Sequence, residues 1–218
     1  MFGQIINLLK LRIGVVMMVT ALVAMVVTPG PPASLLEMLV LAFAIMAAAG
    51  SAGAFNQYFE VELDRQVPRT ATRPFVTGYF KKGPLWLGII LLLLVVGVGS
   101  AALVLNLSAA FYIFLGAFFY AIVYTVWLKR RSWTNIVIGG ASGSFAVLAG
   151  AAAIDTTIGP IAIMLALALF LWTPSHFWSL AIAKSKDYER TGIPMLPVII
   201  GNQRCAQVVL VNTLMLVA

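Results

Sequence analysis

The sequence predicts an all-α fold, a polytopic bundle of transmembrane helices, and three observations carry that prediction. Of 218 residues, 62% are hydrophobic and 10% are charged, against about 45–50% and about 25% in soluble domains; mean hydropathy is +1.03. The apolar residues form continuous runs near the ~20 residues that a bilayer span needs, without the period-two alternation of a barrel strand. All 14 Lys and Arg fall in alternate connections between those runs. A water-soluble globule and a disordered chain are both excluded.

The runs define seven spans in order. The first, Ile13–Val27, is closed by the turn sequence TPGPP. Leu35–Phe59 is the second, Leu85–Leu105 the third and Phe111–Leu128 the fourth. The fifth covers about Asn135–Ile154, and the sixth, Ile158–Ala183, contains Pro174. A seventh begins near Cys205 and is still apolar at Ala218. Those last 14 residues would rise about 21 Å as a helix against roughly 30 Å of hydrocarbon. The expectation is therefore a single transmembrane domain over residues 1–218, truncated from a longer parent.

Orientation follows from the basic residues. Lys10 and Arg12 precede the first span. Arg65, Arg69, Arg73, Lys81 and Lys82 lie between the second and third, and Lys129, Arg130 and Arg131 between the fourth and fifth. Lys184, Lys186, Arg190 and Arg204 lie between the sixth and seventh. The intervening loops carry none. The positive-inside rule places the N-terminus and all the charged loops in the cytoplasm. Net charge is +7; in a soluble protein it would raise nucleic acid as a partner, but here it is accounted for by topology, and no nucleic acid is expected. One cysteine and one histidine leave no intrachain disulfide and no multi-histidine metal site.

Five of the seven acidic residues sit on the basic side: Glu60, Glu62, Asp64, Asp187 and Glu189. In the segment NQYFEVELDRQVPRTATRP, Asn56, Glu60 and Asp64 are spaced by four. At 100° per residue they form one stripe on a helix end, and their hard oxygens suit Mg²⁺ shared with substrate phosphates. Glu62 falls on another face and reads as a solvent-facing or structural residue. Arginines at 65, 69 and 73 beside such a pair are what a diphosphate requires. An ordinary ion-paired helix end is the plainer reading, but like charges at i, i+4 destabilise a helix with nothing bound between them.

Two further segments lie on the same side. VWLKRRSWTN closes the fourth span with three cations, which by themselves read as a topology anchor. WTPSHFWSLAIAKSKDYERTGIPMLP carries His176 inside a span, where ionisable groups are costly and usually functional. If the helix continued, Asp187 would lie about 20° from His176, with Lys184 nearby. The two acidic poles, the arginines and the apolar interior suggest a substrate diphosphate with a long apolar tail, ionised with the help of a divalent cation and captured by an apolar or amphipathic acceptor.

At these residues the sequence resembles the UbiA superfamily of intramembrane prenyltransferases. NQYFEVELD fits its Asn-x-x-x-Asp/Glu-x-x-x-Asp motif. Within that superfamily the strings PRTATRP, LKRRSWTNIVIGG and HFWSLAIAKSKDYERTGIPMLPV, together with the opening KLRI, are similar to the heme o synthase (protoheme IX farnesyltransferase) family. The resemblance covers most of residues 10–210.

It implies a UbiA-like bundle of about nine spans in the cell inner membrane, or the mitochondrial inner membrane in a eukaryote. The implied reaction transfers farnesyl from farnesyl diphosphate to the vinyl group of heme b, giving heme o. By position it implies that Asn56, Glu60 and Asp64 carry Mg²⁺–diphosphate and that Arg69, Arg73, Lys129 and Arg130 hold the diphosphate. Asp187 would belong to a second acidic pole beside Lys184 and Tyr188, and His176 would contact the heme side. The chain departs from the superfamily pattern where Thr191 stands four residues after Asp187 and Lys186 replaces a frequent acid.

The alternatives are prenylation of an aromatic or quinone precursor, a transporter or channel, and a non-catalytic assembly protein. A transporter would place charges at the bilayer midplane or show inverted repeats; the charges here cluster at one end.

Overall fold

The computed structural model describes residues 2–217. Among these, the regular structure is helical: α1 (Phe2–Leu8), α2 (Leu11–Val27), α3 (Leu35–Phe59), α4 (Val61–Arg65), α5 (Pro84–Val104), α6 (Leu107–Phe118, continued to Leu128 as a π-helix), α7 (Asn135–Ala152), α8 (Pro160–Ala183), α9 (Ser185–Thr191), α10 (Leu196–Ile200) and α11 (Asn202–Val217). Five helices are long and apolar enough to cross a membrane: α3, α5, α6 with its π continuation, α7 and α8. The first expected span is the 17-residue apolar helix α2. The seventh expected run falls in α11, a helix of 16 residues whose polar start, Asn202, Gln203 and Arg204, precedes the apolar stretch from Cys205.

Helix starts follow local chemistry. After the TPGPP turn, Ser34 and Glu37 form a reciprocal capping box: Glu37 N–H donates to Ser34 Oγ at 3.2 Å, and Ser34 N–H to Glu37 Oε2 at 2.7 Å. Pro84 and Pro160 occupy first-turn positions, where no intrahelical donor is lost. Asn106 caps α6 by accepting from Ala109 N–H, and its amide donates to Ala152 O at the end of α7, which ties two loops of the uncharged side together.

α2 packs between α3 and α7, α3 against α5 and α6, and α8 between α7 and α11. The core of this bundle is built from small residues, Ala21, Ala44, Ala48, Ala52, Ala117, Ala146 and Ala149 among them, with Met25, Leu41 and Ile113 filling between. Small residues let helix backbones approach closely in lipid, where packing takes over from the hydrophobic drive. Gly150 shows how closely: a Cβ there would overlap the Ala21 carbonyl of α2. The outer faces of α2, α5 and α8 expose Val, Leu and Ile side chains, as lipid-facing surfaces do.

Candidate active site

The end of α3 begins the site. Asn56 and Gln57 are buried on its last turn. The helix breaks at Glu60 (φ −95°, ψ 17°) and resumes as α4. Glu60 N–H still bonds to Asn56 O, and Asp64 N–H to Glu60 O. The single straight stripe expected for Asn56, Glu60 and Asp64 is thus two helical pieces joined at Glu60, yet all three side chains line one chamber of about 360 Å³. Glu60 is fully buried and Asp64 nearly so.

Each carboxylate has its own cation. Lys129 Nζ lies 2.6 Å from Glu60 Oε2, and Arg73 Nη1 lies 2.5 Å from Asp64 Oδ2. Charge repulsion at i, i+4 is therefore relieved by counter-ions from two other segments. Asn56 Nδ2 adds a bond to Glu60 Oε2 at 2.8 Å and another to Thr125 Oγ1 at 3.1 Å. Burial raises the pKa of the Asp64 carboxyl, with Arg73 pulling it down. Glu62 pairs with Arg65 on the exposed surface, the structural role expected of it.

The second acidic pole meets the first. Asp187 and Tyr188, on α9, line the same chamber, and Arg69 reaches Asp187 with Nε 3.7 Å from Oδ2. Burial raises the Tyr188 phenol pKa while Arg69 opposes it. Three expected residues lie elsewhere. Arg130, Lys184 and His176 are exposed and line neither this chamber nor the apolar cavity beside it. Lys184 marks a break between α8 and α9 (φ −120°, ψ 22°), so the continuous wheel that aligned His176, Lys184 and Asp187 does not exist. His176 stacks instead on Trp172, ring centroids 4.4 Å apart. Arg130 follows the inward-facing Lys129 and so turns outward.

The structure adds residues that the sequence reading missed. Lys10, read as a topology anchor, points into the chamber. Its Nζ donates to Asn56 Oδ1 at 2.6 Å and to the Tyr120 hydroxyl at 2.8 Å. Burial lowers its pKa to about 7, Arg73 adds to the shift, and Glu60 and Asp64 oppose it. Tyr120, Thr125 and Lys129 reach the site together because Phe119–Leu128 is a π-helix. On an α-helix, Tyr120 and Lys129 would point about 180° apart. With about 4.4 residues per turn, as i→i+5 bonding implies, they come within roughly 20°. The bond from Lys129 N–H to Tyr124 O at 2.9 Å has that spacing, and Thr125 Oγ donates to Tyr120 O at 2.8 Å. Gly139 leaves the space that the Tyr124 ring fills.

A second cavity of about 270 Å³ runs from this chamber into the bundle. Ile45, Ala48, Ala52, Ile113, Ala117, Ala146, Leu169 and Trp172 are among its walls. Lys10, Ile13, Tyr120, Tyr124 and Phe177 line both. A charged chamber at one membrane face thus adjoins an apolar pocket inside the bundle, the arrangement that an amphiphile with an anionic head needs.

That arrangement suits an apolar chain with a polyanionic head. The chain belongs to the UbiA prenyltransferase family, whose profile matches residues 17–218. It is 51% identical over 212 residues to protoheme IX farnesyltransferase 2 of Paramagnetospirillum magneticum, covering 97% of this chain and 74% of that one. It is 46% identical to protoheme IX farnesyltransferase 1 of the same organism, covering 99% and 76%. The protoheme IX farnesyltransferase of Granulibacter bethesdensis is 38% identical, with 97% and 66% covered. The fold matches a UbiA homolog from Archaeoglobus fulgidus bound to DMAPP and Mg²⁺ at a TM-score of 0.84 and 18% identity, over 98% of this chain and 75% of that one. The apo UbiA homolog from Aeropyrum pernix matches at 0.74 and 22%, over 94% and 77%.

Proposed function

We propose that this chain is a protoheme IX farnesyltransferase, transferring the farnesyl group of farnesyl diphosphate to the vinyl group of heme b to give heme o. The carrying observation is the charged chamber joined to an apolar pocket through shared walls. The names and identities of the relatives supply the acceptor. Residues 1–218 act as one domain, with the site at the cytoplasmic face of the cell inner membrane, as the distribution of basic residues supports.

The residues present fit Mg²⁺. Glu60 Oε1 is buried without a hydrogen-bond partner among the described residues, and Glu60, Asp64 and Asn56 offer hard oxygens on one wall. No three acidic, histidine or cysteine side chains converge among the described residues, so substrate oxygens would complete the ligand set, as is usual for this ion. Bound there, Mg²⁺ would neutralise charge developing on the departing diphosphate. Asp187, across the chamber, would hold a second contact through Arg69 or through metal.

Arg73, Arg69 and Lys129 bind and orient the diphosphate. The allylic C–O bond breaks with its electron pair leaving on the diphosphate, and those cations stabilise that charge. Tyr120 and Tyr124 stand at the junction, stacked on each other with centroids 5.7 Å apart, and their π density lies near the allylic cation. The apolar pocket holds the farnesyl tail and excludes water until the terminal vinyl carbon bonds to the allylic cation. The positive charge then sits on the vinyl carbon next to the porphyrin, where one water adds and loses a proton to solvent, leaving a hydroxyl group. The aromatic face of Trp172, His176 and Phe177 lies beside the pocket and is the proposed heme side. Arg130 and Lys184 serve as outer cations that draw the anionic substrate in.

The test is turnover by the full chain in lipid with farnesyl diphosphate, heme b and Mg²⁺, read by mass spectrometry. Farnesylated heme is expected, and its formation should cease with EDTA and in Asp64→Asn. Undiminished turnover in that variant, or farnesylation of an aromatic acid in place of heme, would overturn the proposal.

A further inference from the structure

Lys10 is the only non-glycine residue with positive φ among the described residues, at φ 49° and ψ 43°. L-residues avoid that region, and where one persists the surroundings must hold it. The neighbouring residues supply that hold. Gly53, on the facing turn of α3, packs against the Lys10 stem, where a Cβ would lie 3.4 Å from Lys10 Cβ and Cδ. The ammonium then reaches Asn56 Oδ1 and the Tyr120 hydroxyl. The strained junction between α1 and α2 therefore delivers a cation onto one of the three oxygens that the motif offers to a metal. Lys10 also lines both cavities, which puts it where the head of an amphiphile would meet its tail.

Resting on the metal–diphosphate reading above, we infer that Lys10 and the divalent cation compete for Asn56, so that metal and diphosphate load together. Mg²⁺ binds oxygen at about 2.0–2.1 Å. An ammonium on the same oxygen would stand close enough to repel it strongly. A diphosphate relieves the conflict, because its oxygens accept the ammonium and free Asn56. Lys10 is then a positioning residue. It weakens binding of the metal alone and strengthens binding of the metal with its anion, a coupling between two ligands that must be reciprocal.

The test measures Mn²⁺ binding by electron paramagnetic resonance on the full chain in lipid nanodiscs, with and without inorganic pyrophosphate. Lys10→Gln removes the charge and keeps a donor; Lys10→Arg keeps the charge. Lys10→Gln should bind Mn²⁺ about tenfold more tightly than the parent when pyrophosphate is absent. With pyrophosphate present, that advantage should vanish or reverse. Lys10→Arg should behave as the parent. A Lys10→Gln affinity equal to or weaker than the parent overturns the inference, and so does a gain of the same size in both conditions, which is a through-space effect with no competition. Glu60→Gln separates the two levels: if it leaves parental Mn²⁺ binding unchanged, the metal site itself is wrong and the inference falls with it. If it abolishes binding while Lys10→Gln gives no gain, only the inference falls.

Discussion

The Glu60–Lys129 pair can be made to report both folding and metal binding. Glu60 has no exposed side-chain surface and Lys129 has 14%, with 2.6 Å between charged atoms. Removing one partner of such a pair leaves an uncompensated buried charge, at about 3–5 kcal/mol, whereas removing both is often close to neutral. Lys129→Met strands the carboxylate with only Asn56 Nδ2 on Oε2, so it should cost about 3–5 kcal/mol. Glu60→Gln strands the slightly exposed ammonium, which can turn toward water, and should cost less, about 1–3 kcal/mol. The double variant should recover most of the loss, and that recovery is the interaction energy. Mg²⁺ then discriminates. At about 100 times its dissociation constant, a ligand adds about 2.7 kcal/mol to the state that binds it. It should stabilise Lys129→Met at least as much as the parent, since it supplies the lost positive charge, and should do little for Glu60→Gln or the double variant. Reversible unfolding in mixed micelles, with and without Mg²⁺, is the assay. Two single variants within about 1 kcal/mol of the parent, or equal Mg²⁺ stabilisation of Glu60→Gln, would refute the reasoning.

Three other outcomes are expected. Thr125→Val removes the hydroxyl that accepts from Asn56 and donates to Tyr120 O; metal affinity should fall about 10–100-fold, as for other residues that orient a ligand, measured by Mn²⁺ titration. Ala146→Phe fills part of the apolar cavity that Ala146 lines, so KM for farnesyl diphosphate should rise several-fold while geranyl diphosphate is spared, measured by competition between the two. Gly150→Val drives a side chain into the Ala21 carbonyl and should cost at least about 3 kcal/mol by overpacking, seen as a lowered midpoint in the same unfolding assay.

Much of the fold is legible in the sequence because lipid imposes a simple rule. Apolar runs of sufficient length must be helices, and basic loops choose a side. The six expected runs from Ile13 to Ala183 therefore meet their helices within a few residues at most ends. That Asn56, Glu60 and Asp64 share one chamber is legible for a related reason: they are close in sequence, and α3 and α4 join at Glu60. What failed was reasoning that presumed regular helix beyond a break. The wheel from His176 to Asp187 crossed the bend at Lys184. Tyr120, Thr125 and Lys129 share a face only on a π-helix, and no periodicity at 100° per residue could pair them. Lys10 was hidden differently. Its charge served the topology argument equally well whether it pointed to headgroups or into the chamber, and only its backbone conformation decides between them.

The charges around the chamber explain why cations sit on the motif's oxygens at all. When Lys10, whose pKa burial lowers to about 7, is protonated, it stands with Arg69, Arg73 and Lys129 against Glu60, Asp64 and Asp187, four positive groups against three negative. A diphosphate brings about three negative charges, which by themselves would leave this chamber strongly negative beside the buried Glu60 and Asp64; a divalent cation by itself would leave it strongly positive. Either imbalance is costly where water is scarce. Together they bring about one net negative charge, and the chamber closes near neutrality. Departure of diphosphate with its metal likewise returns the site to paired ions, and the carboxylates are not stranded. The same cations that relieve like-charge repulsion between Glu60 and Asp64 are thus the ones that a diphosphate would take over. On the proposed function, that exchange would let the motif fold with its charges paired and still offer its oxygens to a metal arriving with an anion.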